Sequence, residues 1–255
     1  MKILKYKKAK GNEYKITTDD KEYMLYDDII VSHELLLKKE ITSKEWNAIL
    51  KENNLLKAYY DSLKLINTKL RTEKELQTLL RKKEYSNKEI DYAINRLTKE
   101  GYLNNLIYIE SYIHDCLNLK MEGERKIRQD LEKLGLPLKE IETALKKIDK
   151  SIYLEKIEKY INKKLKANKK SANEFIRKTM MDLINKGFDK EDIGEYLSQV
   201  EIKDNEQELE KLINKLYHKY INKYDLYTTK TKIKQHLYTK GYTNVDIDEY
   251  LKRVS

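Results

Sequence analysis

The chain is poor in the residues that make turns and crosslinks. It has 7 glycines and 1 proline in 255 residues, too few for the many tight turns of a β-sandwich, a barrel or a glycine-loop nucleotide fold. A single cysteine, Cys116, excludes an internal disulfide framework and any zinc site that needs two or more cysteines. Nowhere do 18 apolar residues run together, so no membrane-spanning helix is expected. The N-terminal MKILKYKKAKGNEYK breaks its apolar residues with charge, which is not a secretory signal. These absences predict a soluble, reduced, cytoplasmic protein. No phosphate loop, dinucleotide fingerprint or H-E-x-x-H motif occurs. The four histidines are scattered, and His114-Asp115-Cys116 would point in different directions on a helix. Neither an enzyme nor a cofactor is expected, and Cys116 reads as a small buried hydrophobe.

What is present is charge and helix former. Lys and Arg number 53 against 43 Asp and Glu, leaving +10, which attracts polyanions or an acidic protein surface. The first 26 residues alternate with period two in three short runs, Ile3–Lys7, Glu13–Thr17 and Glu22–Leu25, separated by turn signals at Lys10-Gly11-Asn12 and Thr18–Lys21. A three-stranded antiparallel meander is predicted. It is too small to stand alone and should pack on the following helix. From Asp27 the period becomes 3.6: Ile29, Ile30 and Leu35–Leu37 predict one helix, and Trp46, Ile49, Leu50, Leu55 and Leu56 another.

Beyond this the chain repeats itself. Tyr85, Leu136, Phe188 and Tyr242 are each followed five positions on by isoleucine: Ile90, Ile141, Ile193 and Ile247. Those isoleucines are spaced by 51, 52 and 54 residues. Apolar positions continue at Ile94, Leu145, Leu197 and Leu251, then at Leu97, Ile148, Val200 and Val254. Five before each aromatic or leucine stand Leu80, Leu131, Leu183 and Leu237. Nine before stand Leu76, Ile127, Thr179 and Ile233. Gly135, Gly187 and Gly241 precede three of the anchors, with Glu84 in the equivalent place of the first. This is a helix ending in a left-handed residue, a short turn and a second helix. Capping-box patterns at Thr72…Glu75, Ser86…Glu89 and Ser171…Glu174 mark helix starts. A further helix precedes each pair, marked by Tyr59/Leu63/Ile66, Tyr108/Tyr112/Ile113, Leu154/Ile157/Ile161 and Leu212/Leu216/Tyr220.

The expected fold is mainly α, an elongated curved array of tandem three-helix repeats behind a small N-terminal β-meander. The expected organisation is residues 1–52 (meander plus helices), then repeats at 53–103, 104–150, 151–203 and 204–255.

The basic residues are uneven. Residues 160–178 carry Lys163, Lys164, Lys166, Lys169, Lys170, Arg177 and Lys178 against Glu174 alone. Residues 214–240 carry seven lysines against Asp225 alone. The candidate binding residues are Arg71, Lys74, Arg125, Lys126, Arg128, Lys169, Lys170, Arg177, Lys230, Lys232 and Lys234. With repeats in register they would form a basic stripe for phosphate backbone or an acidic surface. Many of the 21 tyrosines stand at helical spacing and are expected to pack between helices rather than to stack on bases.

Arg71-Thr-Glu-Lys-Glu-Leu76, Ile90…Leu97, Gly101-Tyr102-Leu103-Asn104-Asn105, Tyr108, Gly123-Glu-Arg125-Lys-Ile127-Arg128-Gln-Asp-Leu131 and Gly135-Leu136…Ile141 together resemble the RecX family, bacterial regulators of the RecA recombinase. The match is best over residues 58–148. The resemblance implies a non-enzymatic regulator of recombination and DNA repair within the SOS response. It would act as a monomer that binds the RecA–DNA filament, inhibits its ATPase and strand exchange, and meets single- and double-stranded DNA through the backbone without sequence preference. The alternative reading of the three-helix unit is a helix-turn-helix transcriptional regulator, which would read bases as a dimer.

Overall fold

The computed structural model describes residues 1–243, 245 and 249–250. Within them the chain is 67 % helical, with twelve α-helices and one small antiparallel sheet. The sequence anchors Ile247, Leu251 and Val254 lie outside the described residues. The fold divides into two compact units. One holds Met1–Ser111 with Leu131–Glu140; the other holds Tyr112–Asp130 and the described residues from Ile141 onward.

The meander forms as the alternation predicts, with β1 (Ile3–Lys8), β2 (Glu13–Thr18) and β3 (Glu22–Tyr26) in that order across the sheet. Its apolar face joins Ile16, Leu25 and Tyr26 to Ile29, Ile30, Leu35, Trp46 and Ile49 in one core. Three strands bury too little alone, so this shared core is what holds the sheet. A buried Asn53 ties the two parts: its Oδ1 accepts from Tyr26 N at 2.9 Å and its Nδ2 donates to Met24 O at 3.1 Å.

One expectation here is corrected. Ile29–Leu37 is not a single helix. α1 (Asp27–Ser32) stops, Glu34 takes a left-handed conformation at φ 50°, and Leu35–Leu37 form a short 3₁₀ turn. Only Leu35 is buried there; Leu36 and Leu37 point outward. Conversely, α2 (Ser43–Thr68) is one continuous helix of 26 residues through the region where periodicity suggests two.

The helices that follow are α3 (Glu73–Lys82), α4 (Asn87–Lys99), α5 (Asn105–Leu119), α6 (Glu124–Lys133), α7 (Leu138–Leu145), α8 (Lys150–Lys166), α9 (Ala172–Asn185), α10 (Lys190–Gln199), α11 (Glu206–Ile221) and α12 (Leu226–Thr239). Both capping boxes at Thr72/Glu75 and Ser86/Glu89 form. The repeat has a single physical device at its centre. Each of α3, α6, α9 and α12 ends in a left-handed residue, namely Glu84, Gly135, Gly187 or Gly241. The amide of the next residue then bonds back to the leucine five earlier: Tyr85 to Leu80, Leu136 to Leu131, Phe188 to Leu183 and Tyr242 to Leu237, at 3.0–3.3 Å. This 6→1 closure satisfies a carbonyl at the helix end and brings the aromatic or leucine against that buried leucine. Leu76, Leu80, Ile90, Ile127, Leu131, Ile141, Leu183, Ile193, Ile233 and Leu237 are all buried, as their spacing requires. In α8 the buried series is Tyr153, Ile157 and Ile161; Leu154, expected in that place, is partly exposed.

Successive triplets meet where the start of one such helix touches the end of the next. In the first unit Thr72 Oγ1 donates to Leu134 O at 3.0 Å and Lys74 Nζ to Lys133 O at 2.9 Å. In the second, Gly123 N donates to Lys186 O at 2.8 Å and Arg125 N to Gly187 O at 3.1 Å. There too Ser171 Oγ donates to Lys240 O at 2.7 Å and Asn173 Nδ2 to Gly241 O at 3.0 Å. Helix ends leave carbonyls unbonded, and each contact serves them from the start of another helix, with free backbone amides at the second junction and with side-chain donors at the other two. The second junction is the tightest. Gly187 has φ +87°, and a Cβ there would lie 2.3 Å from Lys126 N.

Candidate functional site

A strongly cationic concavity lies in the second unit, between α8, α9 and the segment that ends α5. Its cavity volume is about 1380 Å³. It is built by the local sequence. The lysines of the last turn of α8, Lys163, Lys164 and Lys166, suit the negative end of the helix dipole. The chain then turns at Asn168, whose Oδ1 accepts from Lys170 N at 3.0 Å and whose Nδ2 donates to Lys170 O at 3.0 Å. Ser171 caps α9 by accepting from Glu174 N at 3.2 Å. That turn sets Lys169 and Lys170 at the mouth of the groove, both exposed.

Nine basic side chains and one carboxylate, Asp182, line the groove. Several of the nine are committed to the fold. Lys164 pairs with Asp182 and lies over the Tyr160 ring at 4.9 Å. Lys178 pairs with Glu174 at 2.5 Å. Lys156 donates to the carbonyls of Cys116 at 3.0 Å and Lys120 at 2.6 Å, and burial lowers its pKa. Lys163, Lys169, Lys170 and Arg177 have no ion-pair partner among the described residues. Lys170 stands beside Lys178, and this like-charged neighbour pushes its pKa below the ordinary lysine value. The floor is apolar, with Leu117, Leu119, Met121 and Met181.

Of the residues predicted from sequence, the structure gathers Lys169, Lys170 and Arg177 into this one groove. Arg71 and Lys74 line a separate cleft of about 280 Å³ in the first unit with Lys133 and Glu75. Lys74 already serves the helix junction there. Arg125, Lys126 and Arg128 on α6 are engaged. Arg125 donates to Ile184 O across the junction, Lys126 pairs with Asp130 at 2.8 Å, and Arg128 pairs with Glu124 at 2.6 Å. On α12, Lys232 lies over the Tyr224 ring at 4.6 Å, Lys234 is exposed and Lys230 is half-buried. Sequence reasoning missed Lys163 as a principal residue and missed the apolar floor altogether. Leu119 and Met181 lie outside the repeat's core positions, and that irregularity was the available signal. Tyr59 and Tyr108 are buried, as expected for packing between helices, whereas Tyr224 and Tyr227 are exposed, against that expectation. Cys116 is buried with its Sγ 3.2 Å from Glu122 Oε2, and burial raises its thiol pKa to about 11. His114 is exposed.

The sequence model of the RecX first three-helix domain matches residues 58–97, and that of the RecX third three-helix domain matches residues 204–251. The regulatory protein RecX of Streptococcus agalactiae (serotype Ia) is 33 % identical over 259 aligned residues, which cover 99 % of each chain. The chain belongs to the RecX family. The RecX of Bacillus mycoides is 31 % identical, covering 96 % of this chain and 90 % of its own. A crystal structure of regulatory protein RecX superposes with a TM-score of 0.68 at 21 % identity, over 78 % of this chain and all of that one, which shows the common fold. A crystal structure of RecX from Lactobacillus salivarius gives 0.51 at 26 % identity, over 58 % and 99 %. RecX membership gives the chain a regulatory role. The stretch matched as the third RecX domain is the fourth triplet by anchor spacing. No described helix is long and apolar enough to cross a membrane.

Proposed function

We propose that this chain is a non-enzymatic regulator of homologous recombination, a cytoplasmic monomer that binds the RecA filament on DNA and restrains its ATP hydrolysis and strand exchange. The observation that carries this reading is the RecX membership over nearly the full chain. The groove supports it, because Lys163, Lys169, Lys170 and Arg177 offer a polyanionic or acidic partner a concentrated cationic surface. The tandem triplets support it as well. A filament presents the same protomer surface again and again, and a chain with several related units can engage more than one protomer. Each further contact is then intramolecular, so modest individual affinities multiply. A protein bridging protomers opposes the motions between them that accompany nucleotide turnover. The phosphate backbone of the bound DNA is a second anion within such an assembly, read without base specificity. The experiment is direct: the protein is added to RecA on single-stranded DNA and ATP turnover is followed. Turnover falls with dose under this reading. Unchanged turnover at a stoichiometric dose refutes it.

A further inference from the structure

The α8–α9 groove is larger than a small-molecule site. Its volume of about 1380 Å³ exceeds the roughly 300–1,000 Å³ of pockets that enclose drug-sized ligands. Its cationic rim calls for an anionic occupant. Its floor calls for an apolar one: Leu119 is 79 % exposed and Met181 is 52 % exposed, beside Met121 and Leu117. An occupant must therefore present carboxylates or phosphates on its flanks and apolar groups on its underside.

Two polymers carry anions, single-stranded nucleic acid and an acidic peptide, and the floor separates them. Bases bind by stacking on open aromatic faces. The aromatic residues of this groove are Tyr160 and Phe175. Phe175 is buried. The Tyr160 ring has the ammonium groups of Lys164 at 4.9 Å and Lys186 at 6.0 Å. What remains open is aliphatic and thioether surface, and flexible methionines reshape around the leucines and isoleucines of a helix. Apolar side chains at i, i+3 and i+7 on a helix form one stripe that fits such a floor, leaving its flanks free for carboxylates.

We propose that this groove receives an acidic amphipathic helix of a partner protein, its apolar stripe on Leu119, Met121 and Met181 and its carboxylates against Lys163, Lys169 and Lys170. The inference rests on the filament-regulator reading only in that the partner is a protein, and it names the chemistry by which that partner is gripped.

The test is fluorescence anisotropy with the full chain and three labelled probes. The first is a synthetic peptide of about sixteen residues with leucines at i, i+3 and i+7 and glutamates elsewhere. The second has the same composition with the leucines scattered. The third is an oligothymidylate of similar length. The ordered peptide is expected to bind at least about tenfold more tightly than the scattered one. Met181→Glu and Lys163→Glu, both exposed, should each weaken it about tenfold or more while the circular dichroism spectrum stays unchanged. Equal binding of the two peptides would overturn the proposal, leaving only a patch attractive to any polyanion. So would oligothymidylate binding that Met181→Glu abolishes while the ordered peptide fails to bind. Either failure is distinct from failure of the filament reading, which is judged by ATP turnover with the unmodified protein.

Discussion

Replacing Gly123 by alanine tests how the triplets are joined. Gly123 is buried, and a Cβ built on it lies 2.4 Å from Gly187 C and Phe188 N and 2.5 Å from Gly187 O. All three are backbone atoms, so no side chain can swing aside; the two segments must part. Parting them lengthens Gly123 N to Lys186 O, now 2.8 Å, and Arg125 N to Gly187 O, now 3.1 Å. Two backbone bonds at about 1 kcal/mol each, plus a buried polar group left unpaired at about 1–3 kcal/mol, give a loss of roughly 3–5 kcal/mol. For a chain of this size each kcal/mol moves the melting midpoint by about 2–4 °C, so Tm should fall by about 6–20 °C. Gly101→Ala is the control. Gly101 has φ +81° but nothing within 4 Å of the added atom, so only the left-handed conformation costs, about 1–2 kcal/mol. Thermal unfolding by far-ultraviolet circular dichroism reads both. A Gly123→Ala midpoint no lower than that of Gly101→Ala would refute the account of the junction.

Other outcomes follow from single side chains. Burial would raise the Asp61 carboxyl, but hydrogen bonds from Lys83, Lys64 and Tyr85 outweigh it and hold its pKa below the ordinary value. A depressed folded pKa means its stabilisation is full above the unfolded value of about 4 and is lost as pH falls through the folded one. Asp61→Asn should therefore be less stable than wild type at neutral pH, with the gap closing as pH falls below about 4 in urea titrations; a gap independent of pH would contradict this. Cys116, with its thiol raised to about 11, should react with a thiol reagent in the native protein far more slowly than in denaturant, and equal rates would count against its burial. Leu131→Ala removes a fully buried side chain and should cost about 2–5 kcal/mol in chemical denaturation. Arg125→Glu breaks the bond to Ile184 O and should lower Tm by a few degrees, whereas an unchanged Tm would free Arg125 for partner binding.

Local signals were legible where the physics is local. The meander's alternation, the two capping boxes and the glycines that end α6, α9 and α12 all act within six residues, and each lies where the sequence places it. Glu84 stands for glycine at φ 65°, as its alignment implies. Ser171 shows the limit. Its Oγ caps α9 but donates to Lys240 O, and Glu174 turns to Lys178 instead of completing a box. The competitor is local, Lys178 one turn further along α9, whereas the distant contact to Lys240 O is compatible with a box, as Thr72 shows by donating to Leu134 O while its own box forms. The same holds for the basic residues. Charge counts flagged Lys169, Lys170 and Arg177, which share a groove, and equally Arg125 and Arg128, which brace α6. Nothing in a run of lysines tells a free ammonium from one paired with a carboxylate on another helix. Nor does the sequence reading give Gly123 a role of its own, because the backbone that crowds it, at residues 186–188, lies more than 60 residues away.

The most direct test of the account is the dose-dependence of RecA ATP turnover on single-stranded DNA, measured with the wild-type chain and with Lys163→Glu/Lys169→Glu/Lys170→Glu, whose substitutions lie on exposed groove lysines. Wild type should suppress turnover and the triple variant, equally helical, should require at least about tenfold more protein for the same effect. Suppression by the variant at the wild-type dose would contradict the role given to the groove.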